Sequence, residues 1–96
     1  MEGARDVPRP VTQVLDEAKA CVYGIKVAEY GSYTECFHRI AEMWSVVKGV
    51  KFTAEDVALM MIAFKVAREV GKHKHDNLVD ICGYAELLEL LTHNDM

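Results

Sequence analysis

The sequence predicts an all-α protein, a compact four-helix antiparallel bundle-like domain that oligomerises. Apolar residues recur at helical spacing in four consecutive segments. Two of these segments open on capping-box sequences. Both prolines, Pro8 and Pro10, fall in the first ten residues, so nothing breaks the helices that follow. Val50-Lys51-Phe52 alternates but is too short to stand as a strand.

Residues 1–10 lack periodicity and read as a flexible leader. Residues 11–96 read as a single helical domain, with too few residues for a second core. The first helix begins at Val11 and carries Val14, Leu15, Ala18, Val22 and Ile25 on one stripe. Gly24 weakens it and Tyr30-Gly31 marks a turn. Ser32-Tyr33-Thr34-Glu35 caps the second helix, whose stripe is Phe37, Ile40, Ala41, Trp44 and Val47 and whose stop is Gly49. Thr53 opens the third, with Asp56 completing a weaker box and Glu55 favouring the positive end of the helix dipole. From Val57 to Ala67 apolar residues nearly encircle this helix, which predicts a central element packed on several sides and ending at Gly71. After a polar turn, Asp76 or Asn77 is the expected N-cap of the fourth helix. Its expected core face is Leu78, Ile81, Cys82, Ala85 and Leu88, widened by Leu87, Leu90 and Leu91. The excess apolar surface of helices three and four predicts a homo-oligomer.

Composition narrows the function classes. The chain is 51% hydrophobic and 27% charged, a globular profile, and its net charge of −4 argues against duplex DNA as a partner. The longest apolar run, Val57–Phe64, is far below a membrane span, so no membrane is expected. Cys21, Cys36 and Cys82 are odd in number and form no C-x-x-C pair, which fits free thiols in a reducing cytoplasm. No G-x-S-x-G, Walker A or H-E-x-x-H sequence occurs. Cys36 beside His38 does not make a catalytic pair, which depends on spatial proximity, and His38 and His93 have no apparent metal partner.

The polar residues inside the last two helices carry what chemistry the sequence offers. Lys65, Arg68 and Lys72 share one face of helix three, at spacings of three and four. Asp76 and Asp80 share one face of helix four, ahead of Gly83 and Tyr84. In the functional reading, Lys65, Arg68 and Lys72 hold phosphates, and Tyr84 stacks on a base or donates its hydroxyl. Asp76 and Asp80, with Glu69 and His75, are candidate ligands for a divalent metal, Mg2+ being the natural choice. The structural alternative is a salt-bridge cluster, Asp80 answering Lys65 and Asp76 answering Arg68. A solvated turn is the plainer reading of His73 and His75.

Three blocks carry a family resemblance: EYGSYTECFHRIAEMWS (29–45), TAEDVALMMIAFKVAR (53–68) and HDNLVDICGYAELLELL (75–91). Tyr30 to Leu91, about two-thirds of the chain, resembles an uncharacterised family of small all-helical phage and prophage proteins. That resemblance implies a phage- or prophage-encoded protein in the cytoplasm of a bacterial host, and no activity. A more distant likeness, carried by Asp76, Asp80 and Gly83-Tyr84-Ala85, is to the MazG-type all-α nucleoside triphosphate pyrophosphatases. It implies metal-dependent hydrolysis. Those enzymes carry a glutamate pair where this chain has Lys65 and Arg68, with Glu69 the only nearby acid. Exchanging acids for cations favours holding a phosphate directly over holding a metal. The expected function is therefore binding of a phosphorylated nucleotide-like ligand without turnover, with sequestration of a host nucleotide signal as one use. The alternatives are a MazG-like pyrophosphatase and a helical protein-interaction adaptor.

Overall fold

The computed structural model describes residues 13–24 and 32–94. Four helices follow one another: α1 (Gln13–Tyr23), α2 (Tyr33–Lys48), α3 (Ala54–Gly71) and α4 (His75–Asn94). The predicted leader, the helix start at Val11, the stripe position Ile25 and the Tyr30-Gly31 turn lie outside the described residues. No strand occurs among the described residues.

Both predicted capping boxes form. Ser32 Oγ accepts from the Glu35 amide at 3.2 Å, and the Ser32 amide donates to Glu35 Oε1 at 3.4 Å. The Thr53 amide donates to Asp56 Oδ2 at 2.9 Å, and Thr53 Oγ1 accepts from the Asp56 amide at 3.1 Å. Each box satisfies backbone donors that a helix start leaves without intrahelical partners. Gly49 closes α2 in the left-handed conformation, φ 71° and ψ 17°, which glycine adopts without a Cβ penalty. Between α2 and α3 the chain is held by Ser45, whose hydroxyl donates to the Ala41 carbonyl at 2.7 Å and accepts from the Phe52 amide at 2.8 Å. Trp44 and Phe52 meet edge to face over this turn, ring centroids 5.9 Å apart.

The fourth helix starts earlier than expected. It begins at His75, so Asp76 and Asn77 lie within its first turn instead of capping it. The core joins Val22 of α1, Phe37 and Ala41 of α2, Ala54, Val57 and Ala58 of α3, and Leu87 and Leu91 of α4. The central element is α4, which packs against α3 and α1 and also meets α2. Its buried stripe runs His75, Val79, Gly83, Leu87, Leu91, one residue every four. The expected face is therefore displaced: Leu78 and Ala85 are exposed. With apolar side chains on every side, α4 has no intrinsic inner face, and its neighbours choose one.

The third helix is not enclosed as expected. Ala54, Val57 and Ala58 are buried near its start, but Leu59, Met60, Phe64, Val66 and Val70 are exposed. Contact pairs fix the helix directions. Lys65 meets Asp80 and Glu69 meets Asn77, so α3 and α4 are antiparallel. Glu17 meets His75 and Tyr23 meets Glu86, so α1 lies along α4 in the same sense. The four-helix all-α class holds, with the α1–α4 pairing parallel.

Candidate ligand site at the junction of α3 and α4

The turn between α3 and α4 is built around Glu69. Its carboxylate accepts hydrogen bonds from the Lys74 amide at 3.0 Å and from Asn77 Nδ2 at 3.1 Å, and it pairs with His73 Nδ1. The first turn of a helix needs acceptors for its free amides, and Glu69 supplies one from the preceding helix. Asn77 is buried, so its amide group requires that partner. The bonds from His73, Lys74 and Asn77 together hold the Glu69 carboxyl down to about 2.

Around this turn the cations separate. Lys65 Nζ reaches Asp80 Oδ2 at 2.8 Å, tying α3 to α4 with both side chains partly covered. Arg68 and Lys65 flank the Phe64 ring, 5.5 and 5.7 Å from its centroid. Arg68, Lys72 and Lys74 line an open depression of about 360 Å³ whose other walls are Ala67, Gly71 and Asn77. The amino end of α4, the positive end of its dipole, opens at the same turn.

Tyr84 belongs to a second, smaller hollow of about 160 Å³ between α1, α2 and α4, which it lines with Cys21, Tyr33, Asp80 and Gly83. Its ring packs on Phe37 at 5.9 Å. Burial raises the Tyr84 phenol, and the Asp80 carboxylate, Tyr33 and Cys21 raise it further. Tyr84 thus holds its proton and offers a hydrogen-bond donor at neutral pH. Gly83 keeps the helix surface low here: a Cβ would meet only Val22 Cγ2, at 3.6 Å.

The predicted site residues therefore fall into three groups. Arg68 and Lys72 come together, joined by Lys74. Lys65, Asp80 and Tyr84 form a second group, in which Asp80 answers Lys65 as the salt-bridge alternative anticipated. The predicted metal set is divided. Glu69 is committed to the turn, Asp80 to Lys65, and buried His75 to Glu17 at 2.7 Å, while Asp76 is exposed. Among the described residues no three of His, Cys, Asp and Glu group so as to hold a metal ion, and none pairs Asp76 with Arg68. Sequence reasoning missed Lys74 and Cys21. The alternation of Lys72, His73, Lys74 and His75 was a signal for the first, whereas Cys21 is distant in sequence from Tyr84.

Comparison with known proteins identifies the family. Residues 13–92 match the family described as a domain of unknown function, DUF6378. The Gene 55 protein of Mycobacterium phage L5 is 47% identical over 79 residues, which cover 79% of this chain and 50% of that protein. The Gene 55 protein of Mycobacterium phage D29 is 35% identical over 77 residues, covering 79% of this chain and 51% of that protein. The chain thus spans about half the length of the curated relatives it matches. No solved structure matches it. The chain belongs to the DUF6378 family, and its relatives in two mycobacteriophages bear out the predicted phage resemblance.

Proposed function

We propose that this member of a phage protein family binds a phosphorylated, nucleotide-like ligand and does not turn it over. The observation that carries the reading is the convergence of Arg68, Lys72 and Lys74 on one open depression beside the amino end of α4. Guanidinium and ammonium groups near a helix start suit phosphate oxygens. Glu69, the acid nearest these cations in sequence, is engaged by hydrogen bonds with His73, the Lys74 amide and Asn77. Lys65 supports the site from Asp80, and Tyr84 offers a ring and a hydroxyl. Hydrolysis would require the divided set Glu69, Asp76, Asp80 and His75 to reassemble around Mg2+, so binding is the better supported reading. Capture of a host nucleotide signal in the bacterial cytoplasm is the use we favour. The exposed apolar surface of α3 supports a homo-oligomer, or an adaptor surface for another protein.

Thermal-shift titration with a nucleotide panel, inorganic phosphate and pyrophosphate, with and without Mg2+, tests the reading. A ligand at 100 times its Kd adds about 2.7 kcal/mol of stability. We expect a shift that Mg2+ does not require, lost in Arg68→Ala/Lys72→Ala, with no pyrophosphate or phosphate released. A folded double variant that binds as the parent does would overturn these roles, and metal-dependent product release would favour the enzyme.

A further inference from the structure

We infer that the exposed ring of Phe64 is the platform on which the base of a nucleoside 5′-phosphate stacks, with the phosphate one helical turn further along α3 at Arg68. The inference rests on the proposal that Arg68, Lys72 and Lys74 hold phosphate, and it names where the rest of the ligand lies. Arg68 connects the two parts. Its guanidinium carbon lies 5.5 Å from the centre of the Phe64 ring, and the same residue lines the depression with Lys72 and Lys74. Lys65, held by Asp80 at 2.8 Å, stands 5.7 Å from that ring centre. With both cations in place Phe64 is still 49% exposed, and it takes no part in the core. An open aromatic ring beside cations suits a flat ring that carries an anionic tail.

The face of α3 that carries Phe64 runs from apolar to cationic. Met60, Phe64, Arg68 and Lys72 follow at intervals of four, the spacing of neighbours on one helix face. Met60 is exposed one turn before Phe64 and extends the apolar end. Ala67 and Gly71 lie beside Arg68 in the depression, and space is open at Gly71, where an added Cβ would meet nothing within 4 Å. Four residues advance a helix by about 6 Å, a span that one sugar ring bridges between a base and its first phosphate. Further phosphates then run on towards Lys72 and Lys74. The Tyr84 ring is a poorer seat for the base. It packs on Phe37 in the hollow between α1, α2 and α4, with the Asp80 carboxylate in the wall and none of Arg68, Lys72 and Lys74 beside it. Stacking strength grows with ring area, so a purine is favoured over a pyrimidine.

Isothermal titration of the full chain with AMP and with ribose 5-phosphate tests this, since the two probes differ only in the base. The parent should bind AMP about 5- to 100-fold more tightly than ribose 5-phosphate, the gain from one base–aromatic stack. Phe64→Leu, which keeps an apolar side chain and removes the ring, should bring AMP to the affinity of ribose 5-phosphate, and Phe64→Tyr should keep the gain. Both variants should retain the helical circular dichroism spectrum, because Phe64 lies outside the core. In NMR spectra of the parent, the Phe64 ring protons should shift with AMP and not with ribose 5-phosphate. Ring protons unmoved by bound AMP, or a Phe64→Leu variant with the parent's preference, overturn Phe64 as the platform. Equal affinity of the parent for the two probes overturns the stack and leaves the phosphate site standing, as does binding of pyrophosphate with neither probe bound. A parent that binds none of the three, pyrophosphate included, overturns the phosphate reading itself.

Discussion

Glu69 was legible in the sequence as an unusual acid but not as what it is. An acid near a polar turn looks like a metal ligand, yet here three donors from the turn occupy it. The consequence is a pH dependence with a definite sign. Its pKa falls from an ordinary 4.5 to about 2 on folding, so its contribution is full above 4.5 and drains away as pH falls towards 2. Melting curves between pH 5 and pH 2 should therefore converge for the parent and Glu69→Gln, with the variant weaker at neutral pH and flatter across the window. Parallel curves would show that the carboxylate charge is not what the turn uses. Gly83 gives the opposite expectation. Glycine in a helix interior costs about 1 kcal/mol relative to alanine, and an added Cβ meets Val22 at ordinary van der Waals distance. Gly83→Ala should raise stability by about 0.5–1 kcal/mol in denaturant titration. A loss would mean that the α1–α4 approach is tighter than 3.6 Å implies. The helix propensity of Gly83 could be read from the sequence, but the space around it depends on a residue 61 positions away.

Among the elements, what is decided locally was readable and what is decided by a neighbour was not. Ser32, Thr53 and Gly49 act within their own turns, so four-residue patterns gave them away. The buried side of α4 is set by where α1 and α3 lie, and a helix with leucines all round announces no preference. Similarly, α3 looks central because it is apolar all round, although its outer face is bare. Ser45 is an intermediate case. A serine near a helix end is unremarkable in sequence, but its hydroxyl bonds both the Ala41 carbonyl and the Phe52 amide and so fixes the passage from α2 into α3. Ser45→Ala leaves the Phe52 amide without that acceptor and should cost about 1 kcal/mol. In a domain of this size that corresponds to a fall in Tm of roughly 4–8 °C. Thr53→Ala removes one half of the next box and should cost about 1 kcal/mol as well. Ser45 and Thr53 hold opposite ends of one short connection, so the double variant should depart from additivity. Full additivity in a double-mutant cycle would mean that the two ends of the connection are ordered independently.

At the scale of the molecule, the direction in which α1 lies is the feature that local pattern had no means to supply. Its contacts are made across 58 residues between Glu17 and His75 and across 63 between Tyr23 and Glu86. Both attach α1 to α4, while α2, α3 and α4 are joined consecutively by the Ser45 turn and the Glu69 turn. The first helix is short, at 11 residues, and buries only Ala18 and Val22. An isolated helix of that length is marginal in water, so its order must come from docking. The buried imidazole of His75 stands at the head of the α4 stripe and anchors one end of α1 through the Glu17 carboxylate, while Val22 beside Gly83 seats the other. Glu17→Ala removes the partner of a buried polar group without opening the α3–α4 turn. Amide hydrogen exchange should therefore quicken throughout α1, with protection of α3 and α4 close to that of the parent, as expected for a peripheral unit with its own opening free energy. Uniform loss of protection in all four helices would mean that α1 belongs to the cooperative core, and would make the α1–α4 pairing as central to the fold as the α3–α4 pairing that carries the candidate site.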